Sequence, residues 1–552
     1  MARWNWGQTP IAYDGTRTPL KAALFVLVCA AWLVPGLIAH DPWKYDEAVV
    51  FGVVNEVLRS NDWVNFRLAG EPYFDKAPLF IWVSAVLAKL FGGVLALHDA
   101  ARLAAGAFMA LTLALLSAAS FELMAERAVR LAVLLFIGCL GLLIRAHEMT
   151  TDLAGLTGIA LGLYGLAGAA RLPRLGGLAL GAGLGVAFLG NGFLPAGMLL
   201  ALMLFLPSCS AFWRTRRYAG TAAIALAAAL PLVAIWPVLL AAQSHDAASL
   251  WLDNAAASRW SDPFTHDGLE LLYFLRILPW YAWPALPLSA WTLWRARTTL
   301  IDRRALMLPL VAFLAFFLVA SVFGEARDAN GMALLLALAI LGAAELESLP
   351  RGAASALDWF GMTTFFLFAA IIWLGWIAAL TGRPEFAAAW LAREVPGYRY
   401  RFDFIAFALA ALLTLIWLVV VARSLRSTRR ALVNWTAGIT MVWMLMMTLG
   451  LPLVDQARSY RGVVARLGTQ IPPGAGCIAR KNVGDAQRAL LDYFGGIRTV
   501  RDESSASSAC KLLLVQATPL RAPQVAREWR EVWRGSRPGD RNELFILYAR
   551  EG

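Results

Sequence analysis

The stretch HDPWKYDEAVVFGVVNEVLRSNDWVNFRLAGEPYFDKAP, residues 40–78, is polar and lies between two long apolar segments. It contains the adjacent acids Asp46 and Glu47 and the pair Asp75-Lys76. So much charge in one segment is unusual in so apolar a chain. The stretch is either a solvated loop at the membrane surface or an active-site loop. The rest of the sequence has to decide between these two interpretations.

The composition indicates the class of protein. Of the 552 residues, 59% are hydrophobic and 16% are charged, and the mean hydropathy is +0.61. A soluble globular protein of this length carries more charge and fewer apolar residues. The net charge of +12 comes from Lys and Arg that collect in short clusters between apolar segments. This pattern is typical of membrane topology, so we expect a polytopic membrane protein and no nucleic-acid partner.

Fourteen apolar runs of about spanning length, several of them marginal, predict about thirteen transmembrane helices. The first run, 22–39, is expected to be a retained helix and not a cleaved signal. The positive-inside rule places the basic clusters 295–304 and 423–430 in the cytoplasm. Later runs begin near Leu79, Leu103, Ala128, Leu153, Leu175, Phe193, Thr221, Leu271, Leu306, Met332, Trp359, Phe404 and Val433. This orientation predicts periplasmic loops at 40–78, 145–152, 242–270, 324–330 and 381–401.

Two local features refine this topology. The runs 175–190 and 193–207 are either one long bent helix or a hairpin that turns at Gly190-Asn191-Gly192, and the arginines that flank both ends of the pair favour the hairpin. If every segment between Leu79 and Ser120 crossed the membrane, the loops 40–78 and 145–152 could not both be periplasmic. One of these segments is therefore expected to be interfacial, re-entrant or wrongly counted as a span.

The chain changes character after residue 454, which we take as the end of the transmembrane domain. In residues 455–552, short β-like runs at 477–479, 512–516 and 543–548 alternate with polar helical stretches such as 483–493. We expect a small periplasmic α/β domain. If that location is correct, Cys477 and Cys510 can form a disulfide there.

Several separate loops bring charged groups to the predicted periplasmic side. Cations there can bind phosphate, and a carboxylate can accept a proton from a hydroxyl group, so an anionic lipid headgroup is the expected substrate. A lipid or polymer transporter is the alternative class, but it needs charges near the middle of its helices, and those parts are almost bare. The groups are Asp46, Glu47, Asp62, Asp75, Lys76, Arg145, His147, Glu148, Asp152, Asn254, Arg259, His266, Asp267, Glu325, Arg327 and Asp328.

The motifs YDEA at 45–48, NDW at 61–63 and GEPYFDKAP at 70–78 resemble the first periplasmic loop of the GT-C glycosyltransferases that use polyprenyl-phosphate sugars. More narrowly, they are similar to the bacterial branch with the lipid A aminoarabinose transferases and the relatives of protein O-mannosyltransferases. The segments VAFLGNGFLPAGM at 186–198 and GEARDAN at 324–330 occupy matching places. The resemblance implies an all-α GT-C membrane domain followed by a periplasmic α/β domain.

The resemblance also implies an activity. A sugar, aminoarabinose or a related one, would move from undecaprenyl phosphate to a lipid A phosphate or another envelope acceptor, as in polymyxin resistance. The active site would face the periplasm from the bacterial inner membrane. A protein O-glycosyltransferase or a transferase for another envelope glycan is the alternative. We expect a monomer whose partners are the lipid-linked donor, the acceptor and membrane lipids.

The same resemblance assigns roles to individual residues. No cofactor is required, although a divalent metal such as zinc is an alternative at Asp75 and His266. The catalytic residues are Asp46, Glu47 and Asp152; the phosphate-binding residues are Lys76, Arg259 and Arg327; the substrate pocket contains Tyr45, Tyr73, Asn191 and Asn254.

Three motifs of this chain depart from those of the aminoarabinose branch. Its members read Asp-Glu-x-Arg-Tyr where this chain has Asp46-Glu47-Ala48-Val49-Val50. Their Glu-Lys pair is Asp75-Lys76 here, and the lysine of their Thr-Lys-Gly turn is Asn191. Two cations are therefore missing beside the expected sugar-phosphate site, which leaves the donor sugar and the acceptor open.

Overall fold

The computed structural model describes residues 19–124, 126–257, 270–423, 428–504, 509–518, 526 and 528–550. A helical bundle makes up most of this part, and a small sheet domain covers one end of it. The helices are α1 (Pro19–Leu33), α2 (Asp46–Ser60), α3 (Pro78–Phe91), α4 (Leu97–Leu123), α5 (Glu126–Ile137), α6 (Asp152–Gly168), α7 (Pro173–Asn191), α8 (Phe193–Cys209), α9 (Arg216–Gln243), α10 (His245–Ala257), α11 (Glu270–Tyr281), α12 (Ala285–Ala296), α13 (Arg304–Phe323), α14 (Met332–Ala344), α15 (Arg351–Thr381), α16 (Glu385–Glu394), α17 (Phe404–Arg423), α18 (Thr428–Leu445), α19 (Leu451–Arg458), α20 (Arg461–Gly468) and α21 (Asp485–Gly495).

The described chain is that of a multi-pass membrane protein. Among the described residues, seven stretches of helix are long and apolar enough to cross a membrane, and six shorter apolar helices of 10–17 residues accompany them. The spanning windows of α15 and α17 are only 17% and 11% buried within the protein. Their exposed apolar side chains therefore need a hydrocarbon environment instead of water.

The two ends of the bundle can be told apart by the ion pairs at one end and the sheet domain at the other. At the end that we call the far end, ion pairs join Arg171 to Glu122 and Arg303 to Glu345. Arg304 there donates to the backbone carbonyl of Leu166. The opposite end carries the sheet domain, and we call it the domain end.

Helix α3 does not cross the bundle. The Trp82 indole of α3 donates to the carbonyl of Trp63 at 2.7 Å, and Lys89 near the end of α3 lies over the Trp63 ring. The next helix, α4, starts with His98, which is 3.0 Å from the Tyr493 hydroxyl of the sheet domain. Both ends of α3 thus lie at the domain end. The segment that breaks the predicted alternation of sides is α3.

The predicted hairpin at Gly190-Asn191-Gly192 is confirmed. Helix α7 ends at Asn191, α8 begins at Phe193, and Gly192 between them has φ of +74°. Helices α6 and α7 pack with their backbones in contact, because a Cβ on Gly158 would lie 2.3 Å from the backbone nitrogen of Ala187. Small residues allow this approach in membrane bundles. The contact brings the start of α6 next to the end of α7.

Residues 40–78 do not form a solvated loop, so that interpretation is wrong. Most of α2 is buried, from Asp46 to Val57, and α2 lies between the bundle and α21 of the sheet domain. A short hairpin of β1 (Arg67–Leu68) and β2 (Glu71–Pro72) follows. The Glu71 carboxylate accepts hydrogen bonds from Arg480 at 2.8 Å and from Arg488 at 2.9 Å. The sheet domain therefore fixes this stretch against the bundle.

The described part of the sheet domain has five strands in the order β4-β3-β5-β7-β6. Strand β3 is parallel to β4 and β5, and β7 is antiparallel to β5 and β6. The predicted strands at 477–479, 512–516 and 543–548 correspond to β3, β5 and β7. The Cys477–Cys510 disulfide is present. The strands are β3 (Ile478–Lys481), β4 (Val500–Arg501), β5 (Leu512–Ala517), β6 (Trp529–Gly535) and β7 (Leu544–Arg550).

The α6–α7 contact yields a stability prediction. Gly158→Ala should destabilise the protein by about 1–3 kcal/mol, since its methyl group forces the two backbones apart. The control is Gly220→Ala in exposed α9, where an added Cβ meets nothing within 4 Å. Thermal unfolding of the purified proteins in detergent measures both. Equal unfolding temperatures for the two variants would contradict the close approach of α6 and α7.

Candidate active site

The carboxylate of Asp46 lies at the centre of a cluster of cations at the domain end. Asp46 is in the first turn of α2, and its Oδ1 is 3.1 Å from Lys76 Nζ. Its Oδ2 is 3.0 Å from Arg327 Nη2 and 3.5 Å from Arg145 Nη1. Burial alone raises the pKa of Asp46, but the charges of these cations outweigh it and hold the pKa below its ordinary value. Asp46 is therefore ionised at neutral pH.

Asp152, at the start of α6, is a second carboxylate in this cluster. Its Oδ1 accepts a hydrogen bond from Asn191 Nδ2 at 2.7 Å, and its Oδ2 accepts one from Thr150 Oγ1 at 2.6 Å. Arg327 Nη2 lies 3.7 Å from the same Oδ2. The guanidinium of Arg327 thus lies between the carboxylates of Asp46 and Asp152. The close packing of α6 and α7 places Asn191 where it can orient Asp152.

Arg145 completes the cluster, although the site predicted from the sequence did not include it. Its Nη2 and Nε donate to the two oxygens of Asp328 at 2.8 and 3.1 Å, and its Nη1 donates to Glu148 Oε2 at 2.7 Å. Burial raises the pKa of Glu148 to about 7 despite this arginine, with the charges of Glu47 and Asp46 acting in the same direction. Arg145 is thus anchored by two acids behind Asp46.

A cavity of about 470 Å³ opens beside the cluster. Lys76 and Arg327 are the cationic side chains among the described residues that line it, and Asp75 and Glu325 are the acidic ones. Aromatic rings form much of the remaining wall: Phe74, Phe188, Phe193, Trp236, Trp251 and Phe323. A smaller, mostly apolar cavity between α6, α8 and α14 adjoins it, and Asn191, Leu194 and Asn330 line both. The site therefore combines a charged region with apolar and aromatic surfaces.

The structure places Glu47 in a different network from Asp46. Glu47 is 3% exposed, and its Oε1 accepts bonds from Arg102 Nε at 2.9 Å and from the Met149 backbone at 3.1 Å. Burial raises the pKa of Glu47, but the Arg102 charge outweighs it, so the pKa lies below its ordinary value. Arg102 is fully buried and also contacts Asp99 at 2.7 Å. This placement gives no support to a catalytic role for Glu47 and indicates a structural one.

Three of the predicted pocket residues, Tyr45, Tyr73 and Asn254, lie near Asp75, whereas Asn191 contacts Asp152. Asp75 accepts a hydrogen bond from Asn254 Nδ2 at 3.3 Å. Burial and the charge of Asp485 raise its pKa. Burial and the charge of Asp75 likewise raise the pKa of Tyr73, and Tyr45 is half exposed. Asp75 and Asn254 line the cavity.

Two predicted residues, Arg259 and His266, lie outside the described residues. The proposed metal pair of Asp75 and His266 is therefore not examined by the structure. Within the described ranges, no group of three or more His, Cys, Asp or Glu side chains is arranged to hold a metal ion.

Solved structures share this architecture. The crystal structure of ArnT from Cupriavidus metallidurans bound to undecaprenyl phosphate superimposes with a TM-score of 0.67, over 96% of this chain and 98% of that one, at 18% identity. The apo form of the same protein gives a TM-score of 0.64. The chain has the ArnT fold. The predicted all-helical GT-C membrane domain with a small C-terminal sheet domain is therefore confirmed.

Sequence comparison adds one relative. The undecaprenyl phosphate-alpha-4-amino-4-deoxy-L-arabinose arabinosyl transferase of Pseudomonas aeruginosa (strain UCBPP-PA14) is 29% identical over 221 residues. The match covers 39% of this chain and 39% of that relative. No protein-family model matches the sequence. The similarity to this transferase thus concerns about two fifths of its length.

The buried pair of Glu47 and Arg102 yields a second prediction. Glu47→Gln should destabilise the protein by about 3 kcal/mol, the scale for breaking a buried ion pair, although Asp99 keeps part of the Arg102 charge compensated. Glu385→Gln on exposed α16 is the control and should unfold as the native protein does. Thermal unfolding and the yield of monodisperse protein measure the effect. A stable Glu47→Gln protein that lacks activity would instead support a catalytic Glu47.

Proposed function

We propose that the chain is a glycosyltransferase that moves a sugar from undecaprenyl phosphate to an acceptor of the bacterial envelope. The observation that carries this proposal is the pair of cations, Lys76 and Arg327, which meet on Asp46 at the edge of an aromatic-walled cavity. Cations at such a position suit a phosphate group, and the aromatic and apolar walls suit a sugar and the first part of a lipid chain. The ArnT whose fold this chain shares was crystallised with undecaprenyl phosphate.

The proposed reaction assigns a task to each side chain of the cluster. An acceptor oxygen attacks the anomeric carbon of the sugar, the bond from that carbon to the phosphate oxygen breaks, and the lipid phosphate leaves with an added negative charge. Lys76 and Arg327 stabilise this charge. Asp46 accepts the proton when the acceptor is a hydroxyl group, or orients the acceptor when it is already ionised. Asp152 holds Arg327 in place.

We propose that the cluster faces the periplasm. Arg303 and Arg304 of the basic cluster 295–304 lie at the far end of the bundle, as expected for the cytoplasmic side. The Cys477–Cys510 disulfide of the sheet domain is typical of an oxidising compartment. We also propose that the reaction needs no metal, because Lys76 and Arg327 already supply positive charge to the leaving phosphate.

The proposal also specifies the donor sugar and the acceptor. We propose aminoarabinose and a lipid A phosphate, which the partial similarity to the Pseudomonas transferase supports. The carboxylates of Asp75 and Glu325 on the cavity wall suit an amino sugar. However, Asn191 provides no positive charge at the turn, and Val49 and Val50 are fully buried. These residues favour the second candidate, a protein or another envelope glycan as the acceptor.

Mass spectrometry of the envelope distinguishes these acceptors. Lipid A from cells that express the protein should carry an added aminoarabinose, and cells with Asp46→Asn should lack it. The Asp62→Asn variant is the control, because Asp62 lies in the same 40–78 stretch but contacts backbone amides and Gln243 instead of the cluster. Unchanged lipid A together with a modified protein or glycan would select the second candidate.

Lys76 provides a test of the chemistry. Lys76→Gln should reduce transfer by about 10²- to 10³-fold, the scale for removing one preorganised group that stabilises developing charge. The protein should still fold, because Arg327 and Arg145 continue to compensate Asp46. Lys76→Arg should recover only part of the rate, since a planar guanidinium does not replace a compact ammonium.

The measurement uses purified protein, an undecaprenyl-phosphate sugar and the acceptor lipid. Thermal unfolding of each variant serves as the control for folding. Near-native transfer by a well-folded Lys76→Gln protein would exclude the proposed role of Lys76.

A further inference from the structure

We infer that the phosphate group of the donor activates Asp46. The phosphate replaces Asp46 as the hydrogen-bond partner of Lys76 and Arg327, so the Asp46 carboxylate can contact the acceptor only while the donor is bound. This inference rests on the proposed function and adds an order of events to it. Without the lipid phosphate, the carboxylate is occupied by cations and makes a poor base. With the phosphate bound, the same cations are engaged elsewhere.

Each carboxylate oxygen of Asp46 accepts a hydrogen bond from a cationic side chain. Oδ1 accepts from Lys76 at 3.1 Å, and Oδ2 accepts from Arg327 at 3.0 Å. The side chain of Asp46 is 9% exposed, so little room is left for an acceptor hydroxyl to reach either oxygen. The first requirement of the inference is thus met, because the unliganded carboxylate is blocked by its own counterions.

The second requirement is that a bound phosphate contacts the same two cations, Lys76 and Arg327. Lys76 and Arg327 both line the 470 Å³ cavity. A phosphate in that cavity offers oxygens to the same donors, and phosphate and carboxylate compete for such groups with similar geometry. When the donor binds, Lys76 and Arg327 therefore exchange their hydrogen bonds to Asp46 for hydrogen bonds to the phosphate.

Arg145 behaves differently from the other two cations. Asp328 and Glu148 hold its guanidinium on three of its N–H groups. It also does not belong to the described residues that line the cavity. Arg145 should therefore remain beside Asp46 when the other two cations turn to the phosphate, which keeps the carboxylate in position.

The departure of two cations changes the basicity of Asp46. The groups near it are then Arg145, the acid Glu148 and the phenols of Tyr45 and Tyr73. Fewer cations and more negative charge, including that of the phosphate, raise the pKa of a carboxylate. Asp46 thereby becomes a better acceptor of a proton or a hydrogen bond from the acceptor group while the sugar is in place.

Competition between Asp46 and the phosphate has a measurable consequence. Asp46→Asn removes the charge that competes for Lys76 and Arg327, so undecaprenyl phosphate should bind about tenfold more tightly, as expected when a charge-assisted contact no longer has to be given up. The same variant should have no transfer activity. A residue with only a structural role would lose affinity and activity together.

The experiment measures equilibrium binding of radiolabelled undecaprenyl phosphate to the purified full-length protein in nanodiscs. The variants are Asp46→Asn, Asp46→Ala as a second way to remove the charge if the amide does not fold, and Asp62→Asn as the control with native affinity. Adding Lys76→Gln to Asp46→Asn should abolish the gain, because the freed ammonium is then absent.

The outcomes separate the inference from the proposed function. Tighter binding by both Asp46 variants supports the exchange of ion pairs. Equal or weaker binding by folded Asp46 variants, with normal binding by the native protein, overturns the exchange but leaves the transferase proposal standing. If the native protein binds the lipid phosphate no better than a Lys76→Gln/Arg327→Gln variant does, the proposed function fails and the exchange fails with it.

Discussion

The ion cluster around Asp46 is the interaction on which the site depends. It joins segments that are distant in the chain, because Asp46 begins α2, Lys76 precedes α3, Arg145 precedes α6 and Arg327 precedes α14. A carboxylate this buried is tolerated only when cations compensate it. The cluster therefore fixes the relative positions of these segments at the domain end, and it also gathers the charges that a lipid phosphate needs.

The sheet domain keeps the cluster buried by holding residues 40–78 against the bundle. Ion pairs cross this interface along the whole stretch, from Lys44 with Glu543 to Arg59 with Asp492. Glu71 adds contacts to two arginines of the domain. The residues of the sheet domain that the structure describes contribute no side chain to the Asp46 cluster. We attribute to it the role of a support that positions α2.

Much of the site could be predicted from the sequence, since charged residues in an apolar chain concentrate where they can be compensated. Asp46, Lys76, Asp152 and Arg327 do meet in one place. Their proposed roles remain predictions. Glu47 shows the limit of such reasoning: consecutive residues of an α-helix point about 100° apart, and the vicinal acids at the start of α2 join different ion pairs, Asp46 with Lys76 and Glu47 with Arg102.

Other features depend on tertiary structure and could not be predicted from the sequence. The apolar pattern of α3 is that of a short spanning helix, and only its contacts with Trp63 place it at the domain end. The sequence predicts that Arg145 lies on the periplasmic side, but only the structure shows that it contacts Asp46. Arg102 differs from these features, since a single arginine in the apolar helix α4 predicts a buried acid as its partner. Strand β6 was missed because it is an edge strand with exposed polar residues.

A structure of the protein in a lipid nanodisc with undecaprenyl phosphate, determined by cryo-electron microscopy, tests the central claim most directly. The account predicts a phosphate density within hydrogen-bonding distance of Lys76 and Arg327, both turned away from Asp46, with Arg145 still beside its carboxylate. A phosphate bound elsewhere, or one that leaves both cations on Asp46, would contradict it.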